Sequence, residues 1–164
     1  MLNPREHLLK VGERLLPLAA RTPFALQRLA LERSLNQLFA EPLADDAFEA
    51  LEGHWLRLEV ADLKLAWSLT CERQRLRVAE QAPVAVTIRG NWREFLLLAS
   101  RQEDPDTLFF RRRLVIEGDT ELGLAIKNLI DSLDPDLLPP WLWALLQCAG
   151  AGVAEAGRAQ PAPG

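Results

Sequence analysis

The segment FFRRRLVIEGDTELGLAIKNLID, Phe109 to Asp131, constrains the fold more than any other, because its apolar residues change period within two positions. Leu114 and Ile116 alternate with Arg113, Val115 and Glu117, which is the two-residue period of a half-buried strand. Past Gly118-Asp119, Leu122, Ala125, Ile126, Leu129 and Leu133 recur at helical spacing on one face. Asp119 or Thr120 can cap the first turn, and Glu121 sits favourably at the positive end of the helix dipole. A strand that runs into a helix through so tight a turn must lay both on one apolar layer.

The same alternation recurs upstream. His54 to Val60 places Leu56, Leu58 and Val60 on one side and Trp55, Arg57 and Glu59 on the other. Leu63, Leu65, Trp67, Leu69 and Cys71 alternate against Lys64, Ala66, Ser68 and Thr70, and Leu76 and Val78 against Arg75 and Arg77. Short turns between these runs predict an antiparallel meander. Val84, Val86 and Ile88 give a fourth strand ending at Gly90, and Asn91 with Glu94 has capping-box spacing for a helix carrying Trp92, Phe95, Leu96 and Ala99. The acidic turn Glu103 to Asp106 opens a short Leu108-Phe109-Phe110 segment before the fifth strand. One apolar and one polar face per strand predicts an α+β fold: a single five-stranded, mainly antiparallel sheet with helices covering one face.

The ends differ in character. Residues 1–40 read as two amphipathic helical pieces interrupted by Pro17 and Thr22-Pro23. Arg5, Lys10, Arg14, Arg21, Arg28 and Arg33 against Glu6, Glu13 and Glu32 make this stretch +3, leaving −7 of the formal charge of −4 to residues 41–164. Such a segment suits an anionic membrane surface, an acidic partner or simply a pair of solvated core helices. Glu41 to Gly53 reads as a loop and one short helix. Downstream, Asp134-Pro135 stops the helix that begins near Asp119, and Trp141, Leu142, Trp143, Leu145 and Leu146 crowd a last short helix ending near Gly150. The Ala-, Gly- and Pro-rich residues beyond it are expected to be disordered. The division is thus helices over 1–40, a domain over 41–149 and a tail over 150–164.

Composition removes several functions. The 164 residues are 49% hydrophobic and 26% charged, enough for one core. No Gly-rich phosphate loop, nucleophile elbow or zinc-protease motif occurs, and Cys71, Cys148, His7 and His54 lack metal-ligand spacing, so no catalytic residue, metal or cofactor is expected. The acidic balance, and the alternate directions of Arg111, Arg112 and Arg113 on a strand, argue against nucleic acid. Two cysteines within apolar patterns suit reduced thiols, and no run is long enough to span a bilayer, so the expectation is a cytoplasmic protein with at most peripheral contact at the inner membrane.

Phe109 to Asp131, with NWREFLLLASRQEDPDTLFF before it, resembles the last strand and following helix of the sterol carrier protein type 2 domain family, most closely its bacterial branch in ubiquinone biosynthesis. The resemblance is specific over roughly residues 84–133. It implies a non-catalytic carrier whose apolar cavity between sheet and helices holds an isoprenoid quinone precursor or a phospholipid, and which presents it to ubiquinone-pathway enzymes, including iron–sulfur hydroxylases, on the oxygen-independent route. The inward faces nominate Leu65, Trp67, Val86, Phe95, Leu114, Ile116, Leu122, Ile126 and Leu129 as lining. Arg112 and His54, by strand parity, are expected at the rim near a head group. Arg5, Lys10 and Arg14, with Trp141 and Trp143, are the expected membrane contacts. A structural adaptor with a filled core fits the same pattern, because lining and core residues are the same types.

Overall fold

A computed structural model describes residues 4–133 and 140–159. Two helices, α1 (Pro4–Ala20) and α2 (Phe24–Leu38), precede a short α3 (Ala40–Ala44) and a 3-10 turn at Glu49–Leu51. The strands follow as β1 (Trp55–Val60), β2 (Leu65–Glu72), β3 (Arg75–Ala79) and β4 (Val84–Gly90). Helices α4 (Trp92–Ala99) and α5 (Pro105–Phe110) lead to β5 (Val115–Gly118), α6 (Thr120–Ser132) and α7 (Pro140–Ala159).

The sheet order is β3-β2-β1-β4-β5, with β1 and β4 parallel and the other pairs antiparallel. Register confirms the parity read from the sequence: Leu58 lies opposite Trp67 and Ile88, and Ile88 opposite Ile116. These residues share one face with Leu56, Leu69, Val78 and Val86. Leu122, Ile126 and Leu129 of α6 pack on the same core with Leu43, Phe48 and Leu51. The opposite face carries a charged ladder, Arg57–Glu59, Glu59–Arg89 and Arg89–Glu117. It is not all solvent, since Ser68 and Thr70 are buried there and the Thr70 hydroxyl bonds the Leu51 and His54 carbonyls.

The change of period falls where the sequence puts it. Gly118 has φ +115, and a Cβ there would sit 2.3 Å from the Ala85 oxygen, so glycine alone lets the chain turn off β5 against β4. Asp119 caps α6, its carboxylate accepting from the Leu122 N–H at 2.9 Å.

Four local expectations are corrected. Leu108 to Phe110 belongs to helix α5, begun by Pro105 at its first turn, and Arg111 to Arg113 are not strand: Arg112 is a turn residue at φ +57. The capping box at Asn91 does not form; Asp62 accepts from the Trp92 N–H instead, and Glu94 turns to Arg113. Helix α1 continues through Pro17 to Ala20, so Pro17 removes one intrahelical hydrogen bond in the last turn without ending the helix. Helix α7 does not end near Gly150 but reaches Ala159, because alanine is a strong helix former and Val153 finds burial. Residues 160–164 lie outside the described residues.

Candidate functional site

The period-switch segment also shapes a cleft. Phe109, Arg112, Leu114, Val115 and Ile116 line an open recess of about 440 Å³ beside the edge strand β5. The α5 helix supplies Phe109, the left-handed turn at Arg112 re-aims the chain, Leu114 follows that turn, and β5 supplies Val115 and Ile116. The recess is apolar except for the exposed Arg112, for which no ion pair is found among the described residues. An apolar trough with one guanidinium at its lip matches an amphiphile with a polar or anionic end.

Of the residues nominated for ligand contact, the structure brings Arg112, Leu114 and Ile116 together at this cleft. Val86, Leu122, Ile126 and Leu129 lie in the packed core, with Phe95 half-buried against it. Leu65 and Trp67 lie on the β2 side of the sheet, and Trp67 donates to Gln27 Oε1 of α2 at 2.9 Å. Ile126 is only 2% exposed. His54 does not join Arg112. It precedes β1 at the Val84 end of β4, whereas Arg112 precedes the residue pair Arg89–Val115 at the other end, a strand length of about 20 Å away. His54 is exposed and outside the strand, so its expected parity with Leu56 does not apply.

The nominated membrane contacts divide as well. Arg5 is tied to Glu155 of α7 at 2.6 Å, while Lys10 and Arg14 are exposed. Val11, Leu15 and Leu18, one stripe of α1, are exposed, as are Leu26 and Leu29 of α2. Leu8, Leu9, Leu15 and Leu16 are the apolar residues the sequence sets beside these basic ones; of them Leu15 is exposed, in a stripe whose spacing of four and three residues is legible. The side chains of Trp141 and Trp143 lie outside the described residues.

A second recess, about 390 Å³, lies between α2 and the other edge strand, lined by Leu29, Glu32, Arg33, Asn36, Arg75, Leu76 and Arg77. Here α2 satisfies the strand edge with side chains. Asn36 donates to the Leu76 carbonyl at 2.9 Å and accepts from its N–H at 2.8 Å, and Glu32 accepts from the Val78 N–H at 2.9 Å. Residues four apart on a helix advance about 6 Å and alternate strand residues about 6.6 Å, so Glu32 and Asn36 match Val78 and Leu76 in an antiparallel run.

For ionisable groups the site offers little chemistry. Burial, reinforced by Glu52 and Asp46, raises the Cys71 thiol above its ordinary value, which opposes thiolate reactivity. Hydrogen bonding and charge from Glu59, with Glu117, raise Arg89. No group of three metal-ligating side chains occurs among the described residues. No helix is long and apolar enough to cross a membrane among them.

Comparison with known proteins adds three findings. The model of a family described as the SCP-2 sterol transfer family matches residues 33–131. The ubiquinone biosynthesis accessory factor UbiT of Escherichia coli (strain K12) is 42% identical over 143 residues, covering 87% of this chain and 82% of that protein. Among solved structures, the UbiJ-SCP2 ubiquinone synthesis protein is similar with a TM-score of 0.55 and 23% identity, covering 68% of this chain and 94% of that one. That likeness bears on the fold, a five-stranded sheet with helices as the expected architecture has it.

Proposed function

The chain belongs to the SCP-2 sterol transfer family, as a UbiT-type member, and from that premise we propose that it is a non-catalytic, lipid-binding accessory protein of ubiquinone biosynthesis. It takes up an isoprenoid quinone precursor or a membrane lipid and presents the polar ring or head group to pathway enzymes, iron–sulfur hydroxylases of the oxygen-independent route among them. The observation that carries this reading is the cleft at β5, which Arg112 lines together with Phe109, Leu114 and Ile116. An apolar floor holds the first isoprene or acyl segments, and the guanidinium fork donates to ring or phosphate oxygens. The remainder of a long chain needs more room than 440 Å³, so Phe95, Val86 and the α6 residues Leu122, Ile126 and Leu129 part from one another in the loaded protein.

Uptake requires contact with the bilayer, because an isoprenoid tail does not cross water at a useful rate. The stripe Val11, Leu15 and Leu18, flanked by Lys10 and Arg14, supplies a surface for it. Basic residues near anionic lipid contribute about 1 kcal/mol each, which gives reversible, salt-sensitive binding. A structural adaptor is the second reading, favoured by the tight packing of Val86, Ile88, Leu114 and Ile126.

A lift-off assay separates the two. The purified protein is incubated with phosphatidylethanolamine–phosphatidylglycerol vesicles carrying long-chain ubiquinone, the vesicles are pelleted, and lipid left with the soluble protein is quantified. The carrier reading expects quinone or phospholipid in the supernatant with wild type and several-fold less with Arg112→Ala. Absence of both lipids from the wild-type supernatant overturns it in favour of the adaptor.

A further inference from the structure

We propose that α2 is a hinged lid and that the apolar face of β2 and β3 beneath it is the entrance through which a linear hydrocarbon chain reaches the sheet. This inference rests on the carrier reading above and adds where and how the chain enters.

The face beneath α2 is apolar. Leu69, Leu76 and Val78 are buried there, and half-buried Trp67 lies on the same side by its register with Leu58. A helix that covers such a face for structural reasons buries its own apolar stripe against it. Yet α2 has no buried residue at all: Leu35 packs against the core but is, like Leu31 and Leu38, only half-covered. Its specific attachments are polar: Gln27 to the Trp67 indole, Glu32 to the Val78 N–H, and Asn36 to both backbone groups of Leu76. Each such bond contributes little net stability, since water replaces it on release, so the latch is cheap to open. The recess of about 390 Å³ at this seam shows that the helix does not seal the edge.

The neighbours of α2 are placed as a hinge demands. Helix α1 is anchored, through Arg5 to Glu155 of α7 and Glu13 to Arg93 of α4, and Gly152 of α7 comes close enough to Leu9 that a Cβ would lie 2.9 Å from it. Between anchored α1 and latched α2 stands the non-helical joint at residues 21–23, and α2 ends at Leu38, with Phe39 a single non-helical residue before α3. Leu26 and Leu29 of the lid are exposed, Leu29 at 65% where it lines the recess at the seam. With exposed Val11, Leu15 and Leu18 of α1 they add to the apolar surface on offer to a bilayer, so the surface that meets it includes the lid itself.

The test uses the full chain and two variants, Asn36→Ala and Glu32→Gln, with vesicles of phosphatidylethanolamine and phosphatidylglycerol carrying long-chain ubiquinone. Amide exchange followed by NMR reports opening, and mass spectrometry of protein-bound quinone and phospholipid, read separately, reports the rate and final extent of uptake and identifies which chain enters. The Leu76 and Val78 amides, held only by the latch, are expected to exchange faster than the ladder between β1 and β4. Asn36→Ala removes the two hydrogen bonds to Leu76 that cross the latch, worth about a factor of five each, so uptake and release are expected to accelerate by about 25-fold while the extent bound at equilibrium holds. Glu32→Gln keeps an acceptor for Val78 and shows a smaller acceleration. A purely structural α2 gives the opposite split, with unchanged rates or a loss of bound lipid that follows loss of stability; that result, or Leu76 and Val78 amides as protected as the central ladder, overturns the lid. Failure of wild type to take up either lipid overturns the carrier reading and the entrance with it.

Discussion

Replacing Asp119 by alanine tests whether the turn at Gly118-Asp119 is what docks α6 on the sheet. The Asp119 carboxylate accepts from the Leu122 N–H at 2.9 Å, at the first turn of the helix that carries buried Leu122, Ile126 and Leu129. Loss of an N-cap side chain costs about 1 kcal/mol, and loss of a negative charge at the helix N-terminus a further 0.5 kcal/mol or so. Asp119→Ala is therefore expected to cost about 1.5 kcal/mol. Asp119→Asn retains an oxygen acceptor and costs roughly 0.5 kcal/mol, the charge contribution alone. With a urea m-value of about 2 kcal/mol per molar, the alanine variant unfolds about 0.7 M earlier and the asparagine variant about 0.2 M earlier, followed by circular dichroism. The Asp119 N–H still reaches the Ala85 oxygen in both, so β4–β5 pairing is not what differs. Equal midpoints for the two variants, or an unchanged midpoint for alanine, would show that the cap does not hold α6.

Other perturbations follow from the packing. Gly150→Ala drives a Cβ to 1.9 Å from the Oγ of fully buried Ser100, so the α4–α7 seam must shift, and a loss of about 1–3 kcal/mol is expected by thermal unfolding. Gly12→Ala meets nothing within 4 Å in the middle of α1 and is expected to gain about 0.5–1 kcal/mol, read in the same experiment. The Cys71 thiol is raised above 9.0 in the folded protein, chiefly by burial. The folded chain therefore holds a proton that the unfolded chain loses, and this contribution to stability is full below about pH 9 and declines as pH rises through the folded value. Cys71→Ala is expected to flatten that decline in urea titrations at pH 8–10.

The sheet was legible because strand parity depends only on alternation: Leu58, Trp67, Ile88 and Ile116 were assigned to one face and share it in register. The turn at Gly118 was legible because two periods met there. Phe109-Phe110 was not, since three apolar residues in a row fit a strand or a helix equally, and the Pro105 that decides it acts from outside the run. Misreading that segment carried Arg112 onto a strand and so to the inward side. The cleft nonetheless collects Arg112 with Leu114 and Ile116, because both the turn and the strand serve its wall. The latch between α2 and β3 was invisible, as Glu32 and Asn36 look like ordinary solvated helix residues until the strand edge is known. Likewise the helical stretch past Gly150 lacks apolar periodicity and owes its burial to α1 and α4, which are more than fifty residues away.

Native mass spectrometry of the protein purified without detergent, with organic extraction of a parallel sample, addresses the carrier claim most directly. The account expects a population heavier by the mass of one isoprenoid quinone, quinone precursor or phospholipid, identified in the extract, and depleted when Arg112 is replaced by alanine. A protein that is reproducibly empty, from cells that contain these lipids and after exposure to vesicles that carry them, would contradict it.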